Sequence, residues 1–153
     1  MPVLLRSEVD ALPVALPWLK KIATSLLHHA ERKHWELSIL LVDDSRMTEL
    51  NSTYRGITGP TNVLSFPMAD ESAANGPQLL GDIVISVDTA MREAGDCDRT
   101  MEEYLCILLV HGLVHLLGYD HERGEEDAAA MTAKEQELLL QVSEAKKLAP
   151  LSE

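Results

Sequence analysis

The segment from Thr100 to Gly118 constrains the fold most. It opens on Thr100-Met-Glu-Glu103, a capping box in which a hydroxyl and a carboxylate three residues apart satisfy each other's backbone donors. Apolar residues follow at 105, 108, 109, 113 and 116, the spacing of a helix with a buried face. Gly118 closes it as a left-handed cap. Any fold for this chain has to be built around that helix.

Around it the pattern predicts a small sheet with further helices. Residues 12–31 carry apolar side chains at helical spacing, with prolines 13 and 17 in an early turn. Residues 35–42 read as a largely buried strand, and Asp43-Asp44-Ser45 offers an N-cap to a helix over 46–54 closed by Gly56. Strands are expected over 61–66 and 79–87, separated by a polar, turn-rich loop at 68–78. A short helix over 88–94 ends at Gly95, and a last helix covers 124–147, with Glu125, Glu126 and Asp127 at its start and Lys146-Lys147 at its end. No repeat or interdomain linker interrupts the 153 residues, which suit one α+β or α/β domain.

Composition limits the function classes. Thirteen basic against 25 acidic residues give a net charge of −12, unlike a protein that coats nucleic acid over a broad basic surface. Cys97 and Cys106 are too few for a disulfide framework, and Cys106, inside an apolar run, reads as a buried thiol. No basic segment precedes an apolar one at the N-terminus, and the apolar run that ends at Val110 is far short of a membrane span. A soluble, cytoplasmic protein is expected.

Three of the six histidines fall in His111-Gly-Leu-Val-His-Leu-Leu-Gly-Tyr-Asp-His121. His111 and His115 are four apart on the predicted helix, so their imidazoles share a face and can reach one ion. Gly118 lets the chain turn so that His121 can return toward the same point, giving three neutral nitrogens and an open position, as catalytic zinc requires. His28, His29 and His34 lack that geometry and read as surface or helix-end residues. The spacing H-x-x-x-H-x-x-G-x-x-H matches the metzincin proteases, but those carry Glu after the first His, where this chain has Gly112. Glycine moves no proton, so a peptidase of that kind is disfavoured.

The histidine block resembles the signature of the YbeY family of bacterial endoribonucleases and ribosomal RNA maturation factors. Two upstream blocks agree: Asn51-Ser-Thr-Tyr-Arg-Gly-Ile-Thr-Gly-Pro-Thr-Asn-Val-Leu-Ser-Phe-Pro67 and Leu80-Gly-Asp-Ile-Val-Ile-Ser86. The resemblance implies an α+β domain spanning 1–153, with a small mixed four-stranded sheet flanked by helices and a zincin-like metal-binding helix. It implies one zinc per chain on His111, His115 and His121. It further implies single-strand-specific RNA cleavage, maturation of the 3′ end of 16S ribosomal RNA, and late-stage 70S quality control. The implied partners are that RNA, the small subunit and a ribosomal protein or assembly GTPase, with no membrane. Arg55 matches the family's functionally important arginine, and a guanidinium fork suits the oxygens of a phosphodiester in cleavage. Asp82 and Asp120 also match family positions; Asp120 either orients an imidazole or caps the turn after Gly118. Ser65 is a further candidate to line the cleft. The chain departs from the pattern at Thr58, often acidic in the family, and at Ile57 and Gly59, often basic. The remaining alternatives are a metal-dependent peptidase or other hydrolase, and an assembly factor with a structural metal.

The acid balance can be reconciled with RNA only narrowly. Arg46, Arg55, Arg92 and Arg123 are the cations near the predicted cleft, so free RNA should bind weakly and with strong salt dependence.

Overall fold

Alternation along the strands produces two apolar layers on opposite faces of one sheet. The computed structural model describes residues 3–68, 78–119 and 124–142. Within them the chain runs β1 (Val3–Ser7), α1 (Leu16–His29), β2 (Glu36–Val42), α2 (Asp44–Arg55), β3 (Val63–Pro67), β4 (Leu79–Ser86), α3 (Val87–Asp96), α4 (Met101–Leu116) and α5 (Glu125–Gln141). The strand order is β1-β2-β4-β3, with β1, β2 and β4 parallel and β3 antiparallel to β4 at one edge. The fold is thus α+β with a mixed four-stranded sheet, as expected.

Leu37, Ile39 and Leu41 of β2 join Ile83 and Ile85 of β4 in the main core, beneath α1, α3, α4 and α5. The alternate positions Val42, Leu64 and Val84 face the other way and are covered by Met47 and Leu50 of α2. So α2 lies on one face of the sheet and α4 on the other. The capping box at Thr100 and Glu103 is formed in both directions, at 3.1 and 2.9 Å. Twelve of the sixteen residues of α4 are buried. A helix apolar on all sides needs partners on all sides; β3, β4, α1, α3 and α5 supply them.

Gly81 sets how closely these layers meet. Its φ is +146°, and a Cβ there would collide with the Phe66 carbonyl oxygen and the Leu116 side chain. Glycine alone permits both the backbone angle and the approach of α4 to the β3–β4 pair.

Residue-level reading located β2, β3 and β4 but not β1. That strand has five residues on the outer edge, with Val3 buried and Leu4 59% exposed. Its pairing with β2, Val3 opposite Leu37 through Ser7 opposite Leu41, defines it rather than its own pattern. Helix α1 starts at Leu16, not 12, with Pro17 in its first turn, where a missing N–H is tolerated. Helix α3 runs through Gly95 to Asp96. The expected extension of α5 to 147 lies partly outside the described residues.

The carboxyl ends of β2 and β4 are tied together by Asp44. Its Oδ1 accepts from the Ser86 and Thr89 hydroxyls, both at 2.6 Å, and its Oδ2 from Arg92 Nη1 at 2.7 Å. Asp88 in turn accepts the Asp44 N–H at 3.0 Å. Burial pushes the Asp44 carboxyl up, but the Ser86 and Thr89 hydroxyls and Arg92 together outweigh it and hold the group below the usual carboxylate range. Its stabilising contribution is therefore complete above an unfolded-state value of about 3.9 and disappears as pH falls through the lower folded value. Asp44→Asn should reduce stability at pH 7, and the gap to wild type should narrow below about pH 4, measured by urea unfolding across pH 2–7.

Candidate metal centre

Helix α4 brings two of the candidate ligands together. The His111 and His115 rings stand edge to face, 4.8 Å between centroids and 85° between planes. His111 is buried and His115 half-buried. This is the consequence of four-residue spacing on a straight helix. The chain leaves α4 as expected, with Gly118 at φ +101°. His121 and Asp120 lie outside the described residues, so the third ligand and its neighbour are not placed. Among the described residues no three His, Cys, Asp or Glu side chains gather where one ion could sit.

Glu135 is the site residue that motif reading missed. It lies on α5, 2% exposed, among buried Met131, Leu138 and Leu139. Its Oε2 is 3.0 Å from His111 Nδ1. A signal existed: positions 131, 135, 138 and 139 form the apolar stripe of α5, and one of them is a glutamate. A carboxylate is rarely buried without a partner.

Gly112 faces the sheet. A Cβ there would stand 3.1 Å from Ile83 Cγ2 and 3.2 Å from Ser65 Oγ. Ser65 Oγ donates to the Gly112 carbonyl at 3.1 Å, pinning α4 to the edge strand. The position that carries the proton-moving Glu in metzincins is thus filled by β3 and β4. Ser65 serves the seam between helix and sheet.

Arg55 ends α2, exposed, on the other face of the sheet from the histidines. Gly56 caps the helix at φ +66°, and Asn51 Nδ2 donates to Gly59 O at 2.9 Å, fixing the start of the loop that carries Thr58. Both faces meet on β3. Tyr54, beside Arg55, packs edge-on against Phe66 at 5.2 Å, while the preceding Ser65 binds α4. A shallow groove of about 330 Å³ on the α2 face is lined by Arg6, Ser38, Arg46, Tyr54, Phe66 and Asp82, among others. Of the other cations considered, Arg92 is bound to Asp44, and Arg46 lies within 3.7 Å of Glu8 and 3.6 Å of Glu49. Arg123 lies outside the described residues.

Two imidazoles on one helix face, one backed by a buried carboxylate, are donors of the kind that suits zinc. Among the described residues this pair supplies two of the three donors that such an ion needs. The fold and this pair define a class: a mixed-sheet protein with a histidine-bearing central helix. A family model described as Endoribonuclease YbeY matches residues 8–143, and the chain belongs to that family. It is 47% identical over 133 residues to an Endoribonuclease YbeY of Syntrophotalea carbinolica, covering 86% of this chain and 89% of that one. A relative of the same name from Aquifex aeolicus is 48% identical over 110 residues, 72% of each chain. A solution structure from Thermotoga maritima superposes with a TM-score of 0.64 at 24% identity, over 91% of this chain and 87% of that one, which shows a common fold.

Gly112→Glu, which restores the protease-like residue, should destabilise the protein by about 1–3 kcal/mol, because its Cβ presses on Ile83 and Ser65 in the helix–sheet seam. Urea unfolding measures this, and no casein cleavage should accompany it.

Proposed function

We propose that this chain is a zinc-dependent, single-strand-specific endoribonuclease that acts in the cytoplasm on ribosomal RNA. Its role in this reading is late maturation of the 16S 3′ end and 70S quality control. The small subunit is its platform, and a ribosomal protein or assembly GTPase its partner. One observation carries the reading: the His111–His115 pair at 4.8 Å on a buried helix, in a chain of the Endoribonuclease YbeY family.

His111 and His115 would hold the ion, with His121 as the third ligand. Bound zinc supplies Lewis acidity toward a phosphoryl oxygen and lowers the pKa of water. In this reading Arg55, on α2 and across the sheet from the histidines, grips non-bridging oxygens with its forked, permanently charged guanidinium on the flank of a strand that crosses the β3 edge. Gly112 weakens the peptidase reading, since the position offers no proton carrier and sits tightly against Ile83 and Ser65.

The charge of −12 shapes how substrate is met. Among the described residues, Arg92 is tied to Asp44 and Arg46 lies between two glutamates, so neither cation is free for a strand. The ribosome then has to supply most of the affinity, and binding to naked single-stranded RNA should be weak and fall steeply with salt.

The test incubates purified protein with ribosomal RNA and with casein, with and without chelator. RNA cleavage abolished by chelator is expected. Arg55→Ala should cut the rate by about 10²–10³-fold with unchanged thermal stability. Chelator-sensitive casein cleavage with intact RNA would reverse the reading. Normal 16S 3′ ends in cells carrying a folded Arg55→Glu variant would favour an assembly factor with a structural metal instead.

A further inference from the structure

We propose that Glu135 is a positioning residue that holds the His111 ring with Nδ1–H turned to its carboxylate. The inference rests on the reading of His111 as a metal ligand and extends that site to the last helix of the fold.

The position of Glu135 on α5 is one that its neighbours Met131, Leu138 and Leu139 make apolar, and a leucine or methionine would fill it at no electrostatic cost. A carboxylate held at 2% exposure needs a donor. His111 Nδ1, 3.0 Å from Oε2, provides it. An imidazole whose Nδ1–H is given to a carboxylate keeps its lone pair on Nε2, on the far side of the ring. The carboxylate also stops ring flips, so Nε2 keeps one direction. His111 stands on α4 and Glu135 on α5, so the bond orients the ring only when the two helices are packed together. The competing role for Glu135 is a purely structural clamp, in which the pair fastens α5 to α4 and the orientation of the imidazole has no consequence for metal binding.

The two roles separate by measurements that need no turnover. Long-range ¹H–¹⁵N spectra of metal-free wild-type protein at pH 8 should show His111 protonated on Nδ1 alone. A proton on Nε2, or on both nitrogens, would overturn the proposal. Zinc affinity, measured by competition with a chromophoric chelator, should fall by about 10–100-fold in Glu135→Ala. It should fall less in Glu135→Gln, whose carbonyl oxygen still accepts from Nδ1–H. Wild-type affinity in both variants would leave Glu135 as a clamp only. If Glu135→Ala does not fold, the near-isosteric Glu135→Gln and the wild-type spectrum decide. A wild-type chain that takes up no zinc would overturn the metal reading itself, whereas zinc uptake indifferent to residue 135 would overturn only the positioning role.

Discussion

Everything in this molecule is arranged around the seating of α4 on the β3–β4 pair. A helix with twelve of sixteen residues buried cannot lie on a surface, so the sheet, α1, α3 and α5 have to enclose it. Closest approach is reached at two glycines. Gly81 admits Leu116 and the Phe66 carbonyl, and Gly112 admits Ile83 and Ser65. The same seating puts His111 and His115 on the flank of the helix, about a quarter turn from the sheet-facing Gly112 and Leu116, where His111 meets α5. Packing and chemistry therefore divide one helix between its two sides.

That division explains a departure from the protease pattern that spacing alone left as a puzzle. Metzincins and this chain share the histidine spacing, but the intervening positions answer to different neighbours. Residue 112 lies in a helix–sheet seam here, where even a methyl group would press on Ile83. A residue that looks like a lost catalytic group also fits, in this fold, the close approach of helix to sheet. The shared spacing reflects what two imidazoles need to reach one ion, which is a property of helix geometry rather than of the reaction.

The parts of the fold legible in the sequence are those with local causes. The capping box, the left-handed Gly118 and the imidazole pair each follow from residues within one or two turns. What escaped has distant causes. Strand β1 has a single fully buried side chain and is held by β2, more than thirty residues on in the chain. Glu135 reads as one more acid in an acidic helix until α5 is placed against α4, 24 positions away. The face on which Arg55 lies depends on how β3 joins the sheet, which the alternation in 61–66 cannot announce. His121 rests on its motif alone.

The His111–Glu135 contact also has a consequence for the order in which the protein is made. Synthesis proceeds from the N-terminus, and segments can begin to collapse as they emerge. The sheet and the histidine helix are complete in sequence by residue 116, but the wall behind His111 arrives only with α5, which follows them. A partly made chain thus has the two imidazoles without the carboxylate that faces one of them. An unfinished copy still attached to a translating ribosome, surrounded by ribosomal RNA, would carry an incomplete version of the site.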